Sequence, residues 1–229
     1  MCLKPQSEES WCSPSVRNDL FHELMSVKHF TSGRVLCMRM RALSNSVLNI
    51  IVVYGVRAPL QTAPKRKINA DVHHTVEAVC EDTQHDCTIV MRDLNTVIGD
   101  QDQSKGKMLD YDTNAFAIRS LLESLQFLDC GRMGKDEPTL SFVQQGVPVS
   151  QIDAVYVNNT LCRKSDEANG IQKATATEVE SFSGDQRAVV ANILSSLRFS
   201  TLQGSRAHQT AGQVVSMLSV NPERPRRLK

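Results

Sequence analysis

Two short apolar runs constrain the fold more than any other feature of this chain. Ile50 to Val53 in "NIIVVY" and Thr88 to Met91 in "CTIVMRDLN" are nearly continuous in apolar residues and too short for helices. That pattern belongs to strands covered on both faces, not to half-exposed ribbons. Between them, Ile68, Val72, Val76 and Val79 form a helical stripe. Strands that need cover on both sides call for layers, with sheets inside and helices outside.

The remaining pattern extends this reading. Met38, Arg39, Met40 and Arg41 alternate as a half-buried strand does, and a polar turn at Ser44, Asn45 and Ser46 leads to the Ile50 run. "SPSVRNDLFHELM" predicts a helix opening after Pro14, with Leu20, Phe21 and Leu24 on one side. Ile118, Leu121, Leu122, Leu125 and Leu128 repeat at helical spacing, which predicts the clearest helix of the chain. "TLSFVQQG", "IDAVYVN" and Ala188 to Ile193 read as further strands. Several strands follow one another with no helix between them, which favours α+β layering over a simple doubly wound sheet.

Composition limits the function classes. With 41% hydrophobic and 22% charged residues over 229 positions, the chain has ordinary globular composition. A formal net charge of +1 gives no global pull toward nucleic acid or membrane. The seven cysteines are scattered without Cys-x-x-Cys or zinc-finger spacing, so buried reduced thiols are expected. "MCLKPQSEESW" lacks the apolar core of a signal peptide, and no apolar run reaches membrane-spanning length. The expectation is an intracellular chain, nuclear or cytoplasmic, with no membrane partner. Its organisation reads as a disordered start over 1–12, one domain over 13–200, and an extra helix or disordered basic tail over 201–229, ending in "NPERPRRLK".

Chemistry-bearing residues recur where apolar runs end. Tyr54 closes "NIIVV", Asp93 and Asn95 follow "TIVM", Asp153 opens "AVYV", and Asp185 precedes "RAVVANI". Strand ends are where side chains from several segments converge on a ligand. Carboxylates gathered there suit a hard divalent cation and the charge management of phosphodiester cleavage. Taken singly, each residue has a blander reading: Asp and Asn are common turn formers, and Tyr54 fits a strand aromatic. His73 and His74 read as a solvated helix face, because neighbouring helical residues point apart. Arg92 is left open between offsetting the carboxylates and contacting phosphate.

In this order the segments resemble the endonuclease/exonuclease/phosphatase superfamily, and within it the abasic-site-like endonuclease domains of non-LTR retrotransposon reverse-transcriptase proteins. "VVYGVRAP" stands for the family's "VYAP" segment and Arg92-Asp93-Leu94-Asn95 for Gly-Asp-Phe-Asn. Ser150-Gln151-Ile152-Asp153 stands for Ser-Arg-Ile-Asp, and Gly184-Asp185-Gln186 for Ser-Asp-His. "GRVLCMRMR" and "TLSFVQQG" occupy the places of a family strand and a Thr-Phe segment. The match runs from about Ser13 to Phe199, and four motifs in order form a more specific signal than any one of them.

The resemblance implies a four-layer αββα sandwich of two mixed sheets. It implies Mg²⁺-dependent (or Mn²⁺-dependent) hydrolysis of DNA phosphodiesters. Asp93 would orient or deprotonate the attacking water, and Asn95 and Tyr54 would hold the scissile phosphate. Asp153 would orient the family's histidine, and Asp185 and Asp93 would serve the metal. Two departures set the expectation lower. The histidine position holds Gln186, which cannot shuttle a proton. The family's opening strands, with their metal-binding glutamate, would precede "SPSVRND", where only a dozen residues stand. An N-terminally truncated domain is therefore expected, with metal binding weak or absent and activity reduced or lost. Bare apolar surface and self-association through an exposed sheet edge should accompany the missing strands. The alternative is a non-catalytic remnant of a retrotransposon polyprotein that binds nucleic acid or a protein.

Overall fold

The computed structural model describes residues 23–41, 46–56, 63–94, 113–132, 140–144, 147–164, 175–177 and 188–190. The elements in chain order are β1 (Leu24–Phe30), β2 (Val35–Arg41), β3 (Val47–Tyr54), α1 (Ala63–Thr83), β4 (Cys87–Asp93), α2 (Thr113–Ser124) and β5 (Leu128–Asp129). They continue with β6 (Phe142–Gln144), β7 (Val147–Ser150), β8 (Asp153–Val157), α3 (Asn159–Lys164), β9 (Thr175–Thr177) and β10 (Ala188–Val190). The expected layering is present as a mixed α/β architecture. A six-stranded sheet runs β1-β2-β3-β4-β8-β5, and β6–β7 and β9–β10 form two short ladders.

The two apolar runs lie at the centre of this sheet. β3 and β4 pair in parallel, with Ile50 opposite Ile89 and Val52 opposite Met91. Their side chains divide between two cores, one on each face of the sheet. Leu36, Met38, Ile50, Val52, Ile89, Met91 and Val155 fill the first. Ile51, Val53 and Val90 meet Val72, Val76 and Cys80 of α1 and Ile118 and Leu122 of α2 in the second. Burial on both faces is why the runs are continuous in sequence.

α1 joins β3 to β4, as a parallel pair requires. Its stripe is turned slightly from the expected one. Asn69 and Cys80 are buried, whereas Ile68 and Val79 are half-buried. Asn69 is drawn inward by Val56, whose N–H donates to its Oδ1 at 3.0 Å while Asn69 Nδ2 donates to the Val56 carbonyl at 3.4 Å. At the other end, Asn158 accepts from Thr88 N–H at 3.0 Å and donates to the Asp86 carbonyl at 2.7 Å. It also caps α3 by accepting from Leu161 N–H at 3.1 Å.

Two expectations need correction. Leu24 belongs to strand β1 and not to a helix. β1 pairs along its length with β2, Val27 facing Met38 and Phe30 facing Val35, and this pairing overrides the local helical pattern. α2 stops at Ser124, so Leu128 lies in β5 and is 48% exposed. The stop is a Schellman turn. Gln126 adopts φ 60°, its N–H donates to Glu123 O, and Phe127 N–H donates to Leu122 O, while Phe127 and Leu122 meet in the second core. The expected bare apolar surface near the N-terminus falls largely outside the described residues; among those described, Met25 of β1 and Leu128 of β5 are the large exposed hydrophobic residues. β1 is an edge strand among the described strands, with β2 as its neighbour.

Candidate active site at one end of the sheet

The topology brings three of the expected residues into a row. β3 and β4 are parallel, so Tyr54 and Asp93 end at the same edge, facing one another in register. β8 runs antiparallel to β4, so its first residue, Asp153, lies opposite Asp93. Residues directly opposite in a sheet share a face. This row continues the Val52, Met91 and Val155 side of the sheet, away from α1 and α2.

The backbone shows how close the two acids are. Leu94 N–H donates to the Ile152 carbonyl at 3.2 Å. Asp93 and Asp153 are therefore a non-hydrogen-bonded antiparallel pair, the type with the nearer side chains, Cβ atoms about 4.5–5.5 Å apart. Both are buried, at 3% and 6% exposure. Two like charges held opposite one another out of water need a cation or a proton.

Asp153 is held from behind. Its own N–H and that of Ile152 donate to Ser141 Oγ at 3.1 and 3.2 Å, and Ser141 N–H donates to Ser150 O at 3.0 Å. Burial raises the Asp153 carboxyl to about 6, against the lowering influence of the Ser141 hydroxyl and then of the Arg92 cation. Among the described residues, its Oδ2 is buried without a hydrogen-bond partner, and so are both amide atoms of the neighbouring Gln151.

That shift has a sign. The folded value lies above the ordinary 3.8, so the group favours the folded state below about pH 4, and this contribution is lost as pH rises through about 6. Asp153→Asn should therefore be more stable than the unmodified chain at pH 8, by on the order of 2–3 kcal/mol. The difference should vanish near pH 4. Urea melts across that range test it, and a variant no more stable at pH 8 would contradict it.

Arg92, left open by the sequence, lies on the helix-facing side. Its guanidinium donates to Tyr156 Oη at 3.1 and 3.3 Å and sits 5.4 Å from that ring. It is a buried cation beneath the row, on the opposite face from it. His73, His74 and Glu77 place one ligand atom each within 4.8 Å of one another on α1. The histidine rings approach edge-on at 5.5 Å, nearer than a pair pointing apart, but α1 packs on the face opposite the carboxylate row. Asn95, Asp185 and Gln186 lie outside the described residues.

A parallel pair closed by Tyr54 and Asp93, flanked by an antiparallel strand opened by Asp153, can be compared with known architectures. The 3′ phosphatase NExo from Neisseria, bound to product DNA hairpin, superposes with a TM-score of 0.56 at 16% identity, over 74% of this chain and 71% of that one. An AP endonuclease from Archaeoglobus fulgidus gives 0.54 at 14% identity, over 75% and 71%. The fold is that of the endonuclease/exonuclease/phosphatase superfamily. AP endonuclease LMAP from Leishmania major gives 0.53 at 13% identity over 68% of this chain, which spans about half (53%) of that enzyme. No protein-family model matches the sequence, and no curated protein sequence is similar to it. These identities establish the endonuclease/exonuclease/phosphatase fold alone.

Sequence reasoning missed the supports of this site. Ser141 was one polar residue in "TLSFVQQG", and nothing in its spacing marks a hydroxyl that receives two N–H groups from eleven and twelve residues downstream. Asn69 had a weak signal, an amide on the buried side of a helical stripe.

Proposed function

We propose that this chain is a divergent, divalent-cation-dependent phosphodiesterase-like domain over 13–200 that engages DNA, with turnover reduced or lost. The observation that carries the reading is the buried, directly opposed pair Asp93 and Asp153 at a strand edge it shares with Tyr54. A hard cation is held by carboxylate oxygens, and two buried carboxylates opposed at one strand edge fit such a charge beside them. Asp93, with Asp185 by resemblance, would hold Mg²⁺ or Mn²⁺. When bound, such a cation supplies Lewis-acid polarisation of a phosphoryl oxygen.

The chain's own residues have separate tasks. Asp93 orients or deprotonates the attacking water, within reach of a phosphate held by Tyr54 and Asn95. Asp153, fixed by Ser141, orients whatever group stands at position 186. Gln186 there donates a hydrogen bond but carries no proton to the leaving oxygen. That substitution favours a second reading, a module that binds nucleic acid without cleaving it. The reading places the chain where DNA is, in the nucleus or cytoplasm.

The test is nicking of supercoiled plasmid with Mg²⁺ or Mn²⁺ by the unmodified chain and by Asp93→Ala. Trace, cation-dependent nicking that Asp93→Ala removes is the expected result. Equal nicking by both would remove the site from the reading. Cation-dependent DNA binding without nicking would favour the second reading.

A further inference from the structure

From Asp71 to Asp82, helix α1 carries the carboxylates Asp71, Glu77, Glu81 and Asp82, two histidines, and no Lys or Arg. Glu77 and Glu81 stand four residues apart on the helix, where like charges repel. A cation bound beside Glu77 offsets that repulsion.

The residues of this segment that converge are His73, His74 and Glu77. Each offers one ligand atom, and the three atoms lie within 4.8 Å of one another. Glu77 is three residues from His74 and four from His73, so it faces both. His74 Nδ1 is 3.6 Å from Glu77 Oε2, and the two rings approach edge-on at 5.5 Å. A simple His74–Glu77 ion pair accounts for two of these residues and not for His73, half-buried beside them.

Two imidazole nitrogens and one carboxylate oxygen suit a borderline transition ion better than Mg²⁺. Zinc bonds of about 2.0–2.2 Å in a tetrahedral site set ligand atoms about 3.3–3.6 Å apart. The edge between His74 and Glu77 already has that length. The longest edge has at most about 1.5 Å to close on metal binding. Rotamer changes supply that, because the His74 and Glu77 side chains are 75% and 42% exposed.

We infer that His73, His74 and Glu77 bind Zn²⁺ at a site on α1 that is separate from the carboxylate row. The three ligands leave one tetrahedral position to water or an incoming ligand. α1 packs on the face of the sheet opposite the row, and the two donor sets select different cations. The ion ties together a turn of the helix whose Val72, Val76 and Cys80 fill the second core. The unfolded chain does not hold the three atoms together, so the ion favours the folded state. The inference is independent of the proposed function.

The experiment is competition for Zn²⁺ between the full chain and a chromophoric chelator, in excess Mg²⁺. Losing a partner that merely orients a metal ligand costs about 10–100-fold in affinity, and a ligand itself costs no less. His74→Ala and Glu77→Gln are therefore each expected to weaken Zn²⁺ binding by at least about tenfold. His85→Ala, at an exposed histidine just beyond α1, should change nothing. Zn²⁺ should raise the melting temperature of the unmodified chain and not that of His74→Ala. Co²⁺ in its place should give no thiolate charge-transfer band, since no cysteine belongs to the set. Unchanged affinity in His74→Ala and Glu77→Gln overturns the inference, and so does an equal loss in His85→Ala. Displacement of Zn²⁺ by Mg²⁺, or a loss that follows Asp93→Ala instead, places the ion at the row and overturns it. A thiolate band places the ion at a cysteine and overturns it too. Failure of the unmodified chain to bind Zn²⁺ overturns the inference and leaves the proposed function standing.

Discussion

Gln186→His is expected to raise nicking of supercoiled plasmid by about 10²-fold or more over the unmodified chain, in the presence of Mg²⁺ or Mn²⁺. A positioned acid/base group is typically worth ~10²–10⁴-fold in rate. Gln186 is neutral at every pH, so it can hold a phosphoryl oxygen but cannot protonate a leaving oxygen. What makes the restoration plausible in physical terms is Asp153. Its Oδ2 is buried and, among the described residues, without a hydrogen-bond partner, and its backbone is fixed by Ser141. That is the acceptor an imidazole N–H needs for orientation. The gain should therefore depend on the acid. In an Asp153→Asn background, Gln186→His should recover far less, because groups in one site act as a unit. The measurement is initial nicking rate for the two single variants and the double. A Gln186→His chain no faster than the unmodified one would mean that turnover is limited elsewhere in the site. An unmodified chain as fast as Gln186→His would mean that the glutamine is no impairment at all.

The parts of this fold legible in the sequence are those in which burial leaves a periodic mark. "NIIVVY" and "TIVM" read as neighbouring covered strands because apolar cover on both faces removes alternation, and β3 and β4 are such a pair. The row of Tyr54, Asp93 and Asp153 at one strand edge was legible for a related reason: a polar residue at the end of an apolar run stands out. What was not legible depends on contacts distant in sequence. "LMSVKHF" carries no strong strand pattern, and it becomes β1 because β2 returns alongside it. Leu128 continues the helical spacing of Leu121 and Leu125, yet a left-handed Gln126 ends the helix before it. Ser141 is an ordinary residue in sequence, given a role only by the N–H groups of Ile152 and Asp153. The difference between Arg92 facing the helices and Asp93 facing the row is one step of strand alternation, a distinction that register decides.

Gly55 is where fold and site depend on the same atoms, and Gly55→Ala should be among the most damaging single-methyl changes in the chain. The residue follows Tyr54 directly, and its N–H donates to the Asp93 carbonyl at 2.7 Å. A Cβ at Gly55 would lie 2.7 Å from the Leu94 carbonyl oxygen, 2.9 Å from its Cα and 3.0 Å from its carbonyl carbon. All three are backbone atoms, so no side-chain rotation relieves the contact. Either the β3 end or the β4 end must move, and both carry site residues. Overpacking of this kind costs about 3 kcal/mol when the backbone has to shift. In a domain of this size that corresponds to a fall in Tm of roughly 6–12 °C. The shift would also draw Tyr54 away from Asp93, so cation-dependent DNA binding should weaken even at temperatures where the variant is folded. Urea melts read the stability, and anisotropy at low temperature reads the binding. Gly33→Ala is the comparison, since at a left-handed φ of 74° a Cβ brings a backbone strain of about 1–2 kcal/mol. If Gly55→Ala proves as mild as Gly33→Ala, the ends of β3 and β4 do not approach as closely as the row of Tyr54, Asp93 and Asp153 requires.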